Sequence, residues 1–410
     1  MSKPKLLFIT PVPPCVTGPG ISIRAYNNLK ALTTEYEVYL LIINIFGFRK
    51  PVLGPELKEM CHDIVIYHIN PIEYFLKKGI STIFLPRKPR ELLFLTKNRL
   101  KKINQSFLGI HFDMIHVFRI YMVAYVKDML EHNSRQYLQL DLDDIESITR
   151  RRLSKLYELN GESRVSKLVE QEANQYEEIE REMLPLFDQV CVCSEGDKYK
   201  IYEKYKYDHV KVVPNIISIT NLREHERKST SFNFLFVGSL GYYPNRDAAI
   251  YFCDQILPII RKHAPMKFSF KIVGMNVPKR FAYYLSKFPE VDLIGPVVDM
   301  GPIYEYSDAV VIPIRAGGGT RIKALEAFAY RKPVISTSVG VEGIPVNHEQ
   351  HILIGDTAKD FARQCIRLML DSSIGNNLAT NSFSLVLSSY NFKVIRKRLP
   401  QRWRKMSLKK

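Results

Sequence analysis

Residues 309–336 run strand, glycine loop, helix and strand in immediate succession. Ala309 to Ile312 is a short apolar run of strand type, and Gly317-Gly318-Gly319 follows it. Ile322, Leu325 and Phe328 then recur at every third position, the spacing that lines one side of a helix. Pro333 to Ser336 reads as the next strand. Such a unit fits a parallel α/β sheet. Its glycines allow unusual backbone angles and the close approach of a ligand, and amides at a helix N-terminus hold anions. With Arg321 and Lys323 beside the loop, a phosphate-bearing ligand is the natural expectation. A tight αβ turn with basic surface residues is the plainer alternative. No Gly-Lys-Ser/Thr follows the glycines, so this is not a Walker loop, and the dinucleotide fingerprint is absent too.

The N-terminal half opens in the same style. Lys5 to Thr10 reads as a strand and Ile21 to Leu32 as a helix with Ala25, Leu29 and Leu32 near one face. Between them, Pro11 to Gly20 holds four prolines and two glycines. Glu37 to Ile45 is a second apolar strand, and continuous apolar strands imply a buried parallel sheet. Gly18 and Gly20 then fall at the carboxyl end of the first strand, where open α/β sheets bind ligands, with Arg24 one turn beyond. A simple structural loop is the alternative there. Further strands are expected at Ile64 to Tyr67, Met114 to Phe118, Tyr137 to Leu142, Gln189 to Ser194 and Val210 to Val213. Arg150 to Leu186 reads as long, charged and helical. Asp141, Asp143, Asp144 and Glu146 crowd a strand end; they could gather magnesium or, more plainly, cap a helix and hold basic partners.

The chain is 410 residues long with a net charge of +17, which draws negative partners such as nucleic acid, anionic lipid or phosphorylated small molecules. The six cysteines are scattered, with no zinc spacing and no disulfide framework, as suits a reducing cytoplasm. The apolar run at Leu6 to Thr10 is too short for a signal peptide, and no run reaches the roughly 18 apolar residues of a membrane span. Between Pro86 and Lys102, lysines and arginines surround Leu92, Leu93, Phe94 and Leu95. Such a segment can lie on an anionic membrane or pack as an ordinary basic helix. A cytoplasmic protein is expected, peripheral on the cytoplasmic face of the membrane if that segment binds lipid.

Polar Asn221 to Lys228 with Ser229-Thr230-Ser231 has linker composition. The expected boundaries are therefore a first domain over 1–217, a linker over 218–231, a second domain over 232–387 and a basic segment over 388–410 that packs back on the first domain or touches a membrane. The second domain opens with Phe232 to Val237, enters a loop containing Gly238 and Gly241, and continues into a helix from about Arg246 to His263.

Phe236-Val237-Gly238-Ser239 with Pro244-Asn245, then Gly317-Gly318-Gly319-Thr320-Arg321-Ile322-Lys323-Ala324-Leu325-Glu326-Ala327, then Pro333-Val334-Ile335-Ser336-Thr337 and Gly340-Val341-Glu342-Gly343, together resemble the retaining, group 1 glycosyltransferases often called family 4. Thr10-Pro11-Val12-Pro13-Pro14 with Gly18 and Gly20, the acidic run from Asp141, and Pro214-Asn215 extend the likeness over the whole chain. The resemblance implies the α/β fold called GT-B, two Rossmann-like parallel-sheet domains facing across a cleft. It implies a nucleotide-sugar as donor substrate, no cofactor and no metal. In the family two glutamates stand eight positions apart: Glu326 matches the second, which holds the ribose, and the first falls on Gly318. Amides of Gly319 and Thr320 would face the diphosphate, and an amide of the loop from Gly317 through Gly318 to Thr320 could replace the lost carboxylate at the donor sugar, with Arg321 and Lys323 supplying charge in place of the family's usual arginine, which is not evident at Ser239. Gly18, Gly20, Gly238 and Gly241 would line the donor loops. The family's histidine after the fourth strand has only His116, inside the strand and equally able to face the core, and Arg119 at the outlet.

The expected activity is sugar transfer with retained configuration to a hydroxyl acceptor, a glycan or lipid-linked glycan of cell-surface polysaccharide type. The alternatives are a nucleotide-sugar epimerase or hydrolase on the same scaffold, and a non-catalytic nucleotide-sugar or nucleic-acid binding protein. Nucleic acid is not an expected partner, because no zinc finger, RRM signature or GXXG clamp accompanies the charge.

Overall fold

The structure, a computed structural model, describes residues 3–46, 51–83, 88–131, 136–217 and 231–393. It divides into two compact units, the first running to Pro214 and the second beginning at Asn215. The expected linker up to residue 230 and the basic segment beyond residue 393 lie outside the described residues, and Ser231 already opens a strand of the second unit.

The first unit alternates strand and helix. Its elements are β1 (Lys5–Thr10), α1 (Gly20–Leu32), β2 (Glu37–Asn44), α2 (Pro55–Met60), β3 (Asp63–His68), α3 (Pro71–Ile83), α4 (Lys97–Gln105), β4 (Met114–Phe118), α5 (Ile120–Glu131), β5 (Tyr137–Asp141), α6 (Glu146–Leu159), α7 (Ser163–Met183), β6 (Gln189–Val192), α8 (Glu195–Tyr205) and β7 (Val210–Val212). The strands form one parallel sheet in the order β3-β2-β1-β4-β5-β6-β7. Along β1, Leu7 and Ile9 enter one core and Leu6 and Phe8 the other, so the sheet is buried on both faces. The helical stretch expected over 150–186 is divided into two helices. Gly161 turns the chain between them with φ of 78°, a conformation glycine adopts without steric cost.

The second unit repeats the plan with β8 (Ser231–Val237), α9 (Tyr243–Tyr251), α10 (Leu257–His263), β9 (Lys267–Val273), α11 (Lys279–Leu285), β10 (Val291–Ile294), α12 (Gly301–Glu305), β11 (Ala309–Ile312), α13 (Ile322–Ala329), β12 (Val334–Ser336), β13 (Leu353–Ile354), α14 (Ala358–Leu370) and α15 (Ser372–Ser389). Its sheet order is β10-β9-β8-β11-β12-β13, again parallel. Ile217 belongs to this unit: it sits in the core, and its amide donates to the Tyr390 carbonyl at 2.9 Å.

Each sheet reverses its winding once, between β1 and β4 and between β8 and β11. Loops leaving neighbouring strands at such a point diverge over opposite faces and open a crevice at the carboxyl ends.

Candidate donor site

In the second unit the two loops at the reversal are those singled out in the sequence. β8 feeds Gly238 to Tyr242, and β11 feeds Pro313 to Arg321. They meet through Lys323. This side chain rises from the first turn of α13, crosses 4.6 Å above the Phe236 ring and donates to Asn245 Oδ1 at 2.7 Å. Asn245 Nδ2 in turn donates to the Ser239 carbonyl at 2.9 Å. A methyl group on Gly238 would lie 2.8 Å from Asn245 Nδ2 and 2.9 Å from Lys323 Nζ, so a side chain there would displace the ends of both. Gly241 packs against Asn276, whose Cβ would lie 3.0 Å from an added methyl.

The glycine loop has its own cation. Gly317 and Gly319 take φ of 131° and 62°. Arg321 Nη1 folds back to donate to the carbonyls of Gly318 and Gly319, and Nη2 lies where a Gly317 side chain would begin. Among the described residues, Arg321 Nη2 and Thr320 Oγ1 are buried without a hydrogen-bond partner. The N-terminus of α13 has no side-chain cap either. A helix end, a hydroxyl and a guanidinium edge without acceptors form a group that an anion would satisfy.

Glu326 stands one turn beyond Lys323. Tyr304 donates to its Oε2 at 3.5 Å while stacking on Tyr330 at 4.3 Å between ring centroids. Burial raises the Glu326 carboxyl to about 7, against the opposing pull of the Lys323 charge and the Tyr304 bond. Burial, with the Arg321 charge adding to it, lowers the Lys323 ammonium to about 7, and Glu326 opposes this. Both half-buried groups are therefore poised to change charge near neutrality.

One part of this arrangement has no signature in the sequence. Arg315, just after β11, grips the buried Asp247 of α9 with both arms, Nε at 3.0 Å and Nη2 at 2.5 Å, and stacks over Tyr251 at 4.6 Å. It ties the root of the glycine loop to the helix that follows the other loop. The partners are 68 positions apart, so only the paired topology reveals them. The Pro244-Asn245 pair in the sequence gives no sign of this bridging role for Asn245. Arg246, at the start of the expected helix, lies over the Tyr243 ring.

The first unit treats its predicted residues differently. Gly18, with φ of 119°, and Gly20, the first residue of α1, do lie at the β1 outlet. Arg24 is fully buried and pairs with Asp141 at 3.0 Å and with the Val213 carbonyl at 2.9 Å. Arg119, at φ of 79°, gives Nη1 to Asp143 at 2.9 Å and Nη2 to Glu146, while its Nε is buried without a partner. Asn28 donates to Asp141 at 2.5 Å, and Asp144 accepts from Thr149 at 2.6 Å. The acidic run thus holds basic and polar partners, as the plainer reading has it. Among the described residues no group of three or more His, Cys, Asp or Glu converges as metal ligands would. His116 needs correction. It is wholly buried within β4, stacks on Phe8 at 4.6 Å, and its Nδ1 pairs with Gln139 Oε1 at 2.8 Å. Burial lowers its pKa, so it is a neutral core residue that does not reach the strand outlet. Arg119 does reach the outlet, but its charge is taken up by carboxylates.

Comparison with known proteins agrees with the architecture. The sucrose-phosphate synthase of Thermosynechococcus elongatus superposes with a TM-score of 0.73 at 15% identity, over 100% of both chains. HepE of Anabaena, in complex with UDP and glucose, superposes with a TM-score of 0.67 at 13% identity, over 99% of this chain and 100% of that one. The chain has the GT-B fold. A glycosyltransferase from Rickettsia africae gives a TM-score of 0.61 at 13% identity, over 100% of this chain and 98% of its own. By sequence, the family described as glycosyl transferases group 1 matches residues 231–371, the GT-B domain that carries the site above. An uncharacterized 44.6 kDa protein in a cps region of Klebsiella pneumoniae is 28% identical over 172 residues, which are 40% of this chain and 44% of the relative. The match spans less than half of that relative's length.

Proposed function

We propose that this GT-B protein is a retaining glycosyltransferase whose second unit holds the diphosphate of a nucleotide-sugar. The observation that carries the reading is the pair of buried donors without acceptors, Thr320 Oγ1 and Arg321 Nη2, beside Lys323 at the sheet's reversal point. Glu326 accepts the ribose hydroxyls. UDP is the preferred nucleotide, because HepE, a protein of the same fold, binds UDP and UDP-glucose.

In the transfer, the bond from the sugar's anomeric carbon to the donor phosphate breaks, and its electron pair stays on the diphosphate. Lys323, Arg321 and the end of α13 stabilise that charge as it grows, in a partly water-excluded site where such charges act most strongly. The acceptor hydroxyl attacks from the face the diphosphate leaves, and its proton passes to a donor phosphate oxygen. No protein nucleophile is required. Gly318 replaces the family's first glutamate, so the loop amides must meet the donor sugar. The acceptor is a glycan or lipid-linked glycan handled by the first unit.

The test is binding of UDP-, GDP-, ADP- and dTDP-sugars to the wild type and to Glu326→Ala. One donor should bind clearly, and losing the carboxylate should weaken it roughly tenfold to a hundredfold, the worth of hydrogen bonds to a charged group. Free sugar or epimerised donor accumulating without acceptor would replace transfer by hydrolysis or epimerisation. Tight donor binding with no turnover across glycan acceptors would make the protein a binding subunit.

A further inference from the structure

Helix α3 carries an apolar stripe on its outer side. Ile72, Phe75 and Leu76 are 70%, 60% and 60% exposed, at the i, i+3, i+4 spacing of one helical face. Tyr74 lies on the inner side of the same helix, stacked on Phe94 with ring centroids 5.9 Å apart. The helix is held in this orientation. Arg99 of α4 pairs with Glu73 at 2.9 Å, and Lys77 donates to the Leu93 carbonyl at 2.8 Å while pairing with Glu73. Turning the stripe inward would break all of these.

The surroundings are basic. Lys88, Lys97, Lys101 and Lys102 are exposed around α4, which packs beside α3. Glu73 is engaged by Lys77 and Arg99, and Glu91 by Arg150 at 2.6 Å. The charge of this surface is therefore uncompensated lysine. The segment singled out in the sequence contributes only this half: Leu92 and Phe94 are buried in the core of the first unit, so the apolar half comes from α3.

From this charge complementarity we propose that the α3 face docks on a bilayer bearing anionic head groups. An exposed apolar stripe on a helix whose neighbour α4 carries exposed lysines fits a partner that is anionic at its surface and apolar immediately beneath. A bilayer presents both at the depth an interfacial helix reaches. A protein partner would have to supply both chemistries at one patch. The proposal does not depend on the transferase reading, and its test uses no donor.

Flotation of the full chain with vesicles of phosphatidylcholine, alone or mixed with phosphatidylglycerol, reads the binding. Wild type should float with the mixed vesicles, float poorly with phosphatidylcholine alone, and release as salt is raised. The Ile72→Ser/Phe75→Ser/Leu76→Ser variant changes only exposed positions, so its circular dichroism should be unchanged while vesicle binding falls at least about tenfold. Lys97→Glu/Lys101→Glu should lose a similar factor on the mixed vesicles alone. In Phe75→Trp, indole emission should shift to the blue on vesicle addition, with wild type giving the background of Trp403. Failure of wild type to float overturns the proposal. So does flotation of the triple serine variant at the wild-type level, because the basic charge elsewhere then carries the binding. A wild-type dimer that the serine variant converts to monomer would assign the stripe to a second copy instead.

Discussion

Lys323 and Glu326 stand three positions apart on α13, and burial drives them toward each other's range. The lysine comes down to about 7 and the glutamate up to about 7. For the lysine, the charge that meets a diphosphate is present below that value and lost above it. For the glutamate, the carboxylate that accepts ribose hydroxyls is present above it and lost below. Donor affinity should therefore peak near neutrality and fall on both sides, the two limbs belonging to the coupled pair. A nucleotide-sugar is the right probe, since its diphosphate is esterified at both ends and gains no proton in this range. Titration calorimetry across pH should show Lys323→Arg losing the alkaline limb and Glu326→Gln losing the acid limb. A flat profile in the wild type would remove both residues from the donor's charge balance. Sequence reasoning reached Lys323 and Arg321 by charge and proximity to the glycines, and that much was legible. It could not divide their work: Lys323 crosses to the neighbouring loop and Arg321 folds back on its own. Nor could it find Asp247. Removing that carboxylate leaves Arg315 without its buried partner, so Asp247→Asn should lower stability by about 1–3 kcal/mol. It should weaken donor binding as well, because the two loops lose their tie. In a double-mutant cycle, Asp247→Asn with Arg315→Met should cost less than the sum of the single changes. Strict additivity would mean that the pair does not act as a tie.

At the scale of elements, the strands were the readable part. Continuous apolar runs such as Glu37–Asn44 and Ala309–Ile312 have no polar face to hide, and the sheets bury them on both sides. Helices were less legible, because period reveals a face but not where it points. The exposed stripe of α3 shows this, and so does the break between α6 and α7, which depends on a single glycine within a charged run. What α6 and α7 share is also hidden. Glu180 of α7 accepts from the Ser147 amide at 3.0 Å and hydroxyl at 2.5 Å at the start of α6, and from Tyr205 at the end of α8. Burial raises this carboxyl to about 7 despite those bonds. A raised carboxyl pKa means that the folded state holds the proton more tightly than the unfolded chain. The stabilisation is complete below the ordinary carboxyl value and is lost as pH climbs through about 7. The first unit should accordingly be more resistant to denaturant at mildly acidic than at mildly alkaline pH, and Glu180→Gln should flatten that difference. Equal slopes in the wild type and the variant would assign the pH dependence to other groups.

At the scale of the whole molecule, the chain builds the same architecture twice and loads it differently. Both sheets reverse once, and both reversal points lie beside a glycine-bearing loop. In the first unit the ionic groups near that point are consumed internally, Arg24 by Asp141 and Arg119 by Asp143 and Glu146. In the second, Lys323 and Arg321 are hydrogen-bonded only to neutral oxygens, and Thr320 Oγ1 and Arg321 Nη2 stay without acceptors. This asymmetry predicts where a nucleotide is felt. With UDP in excess, hydrogen exchange should slow at Gly238–Asn245 and over 316–326, while amides around His116 and Arg24 should exchange as before. Saturation at about a hundred times Kd should raise the second unit's stability by about 2.7 kcal/mol, because ligand bound only to the folded state adds RT ln(1 + [L]/Kd). Protection confined to the loop around Gly18 would reverse the assignment and put the diphosphate on the first unit. The reversal would also require Arg24 or Arg119 to leave its carboxylate partners, a rearrangement visible as lost protection at the Arg119 amide, which now donates to the Asp141 carbonyl at 2.8 Å.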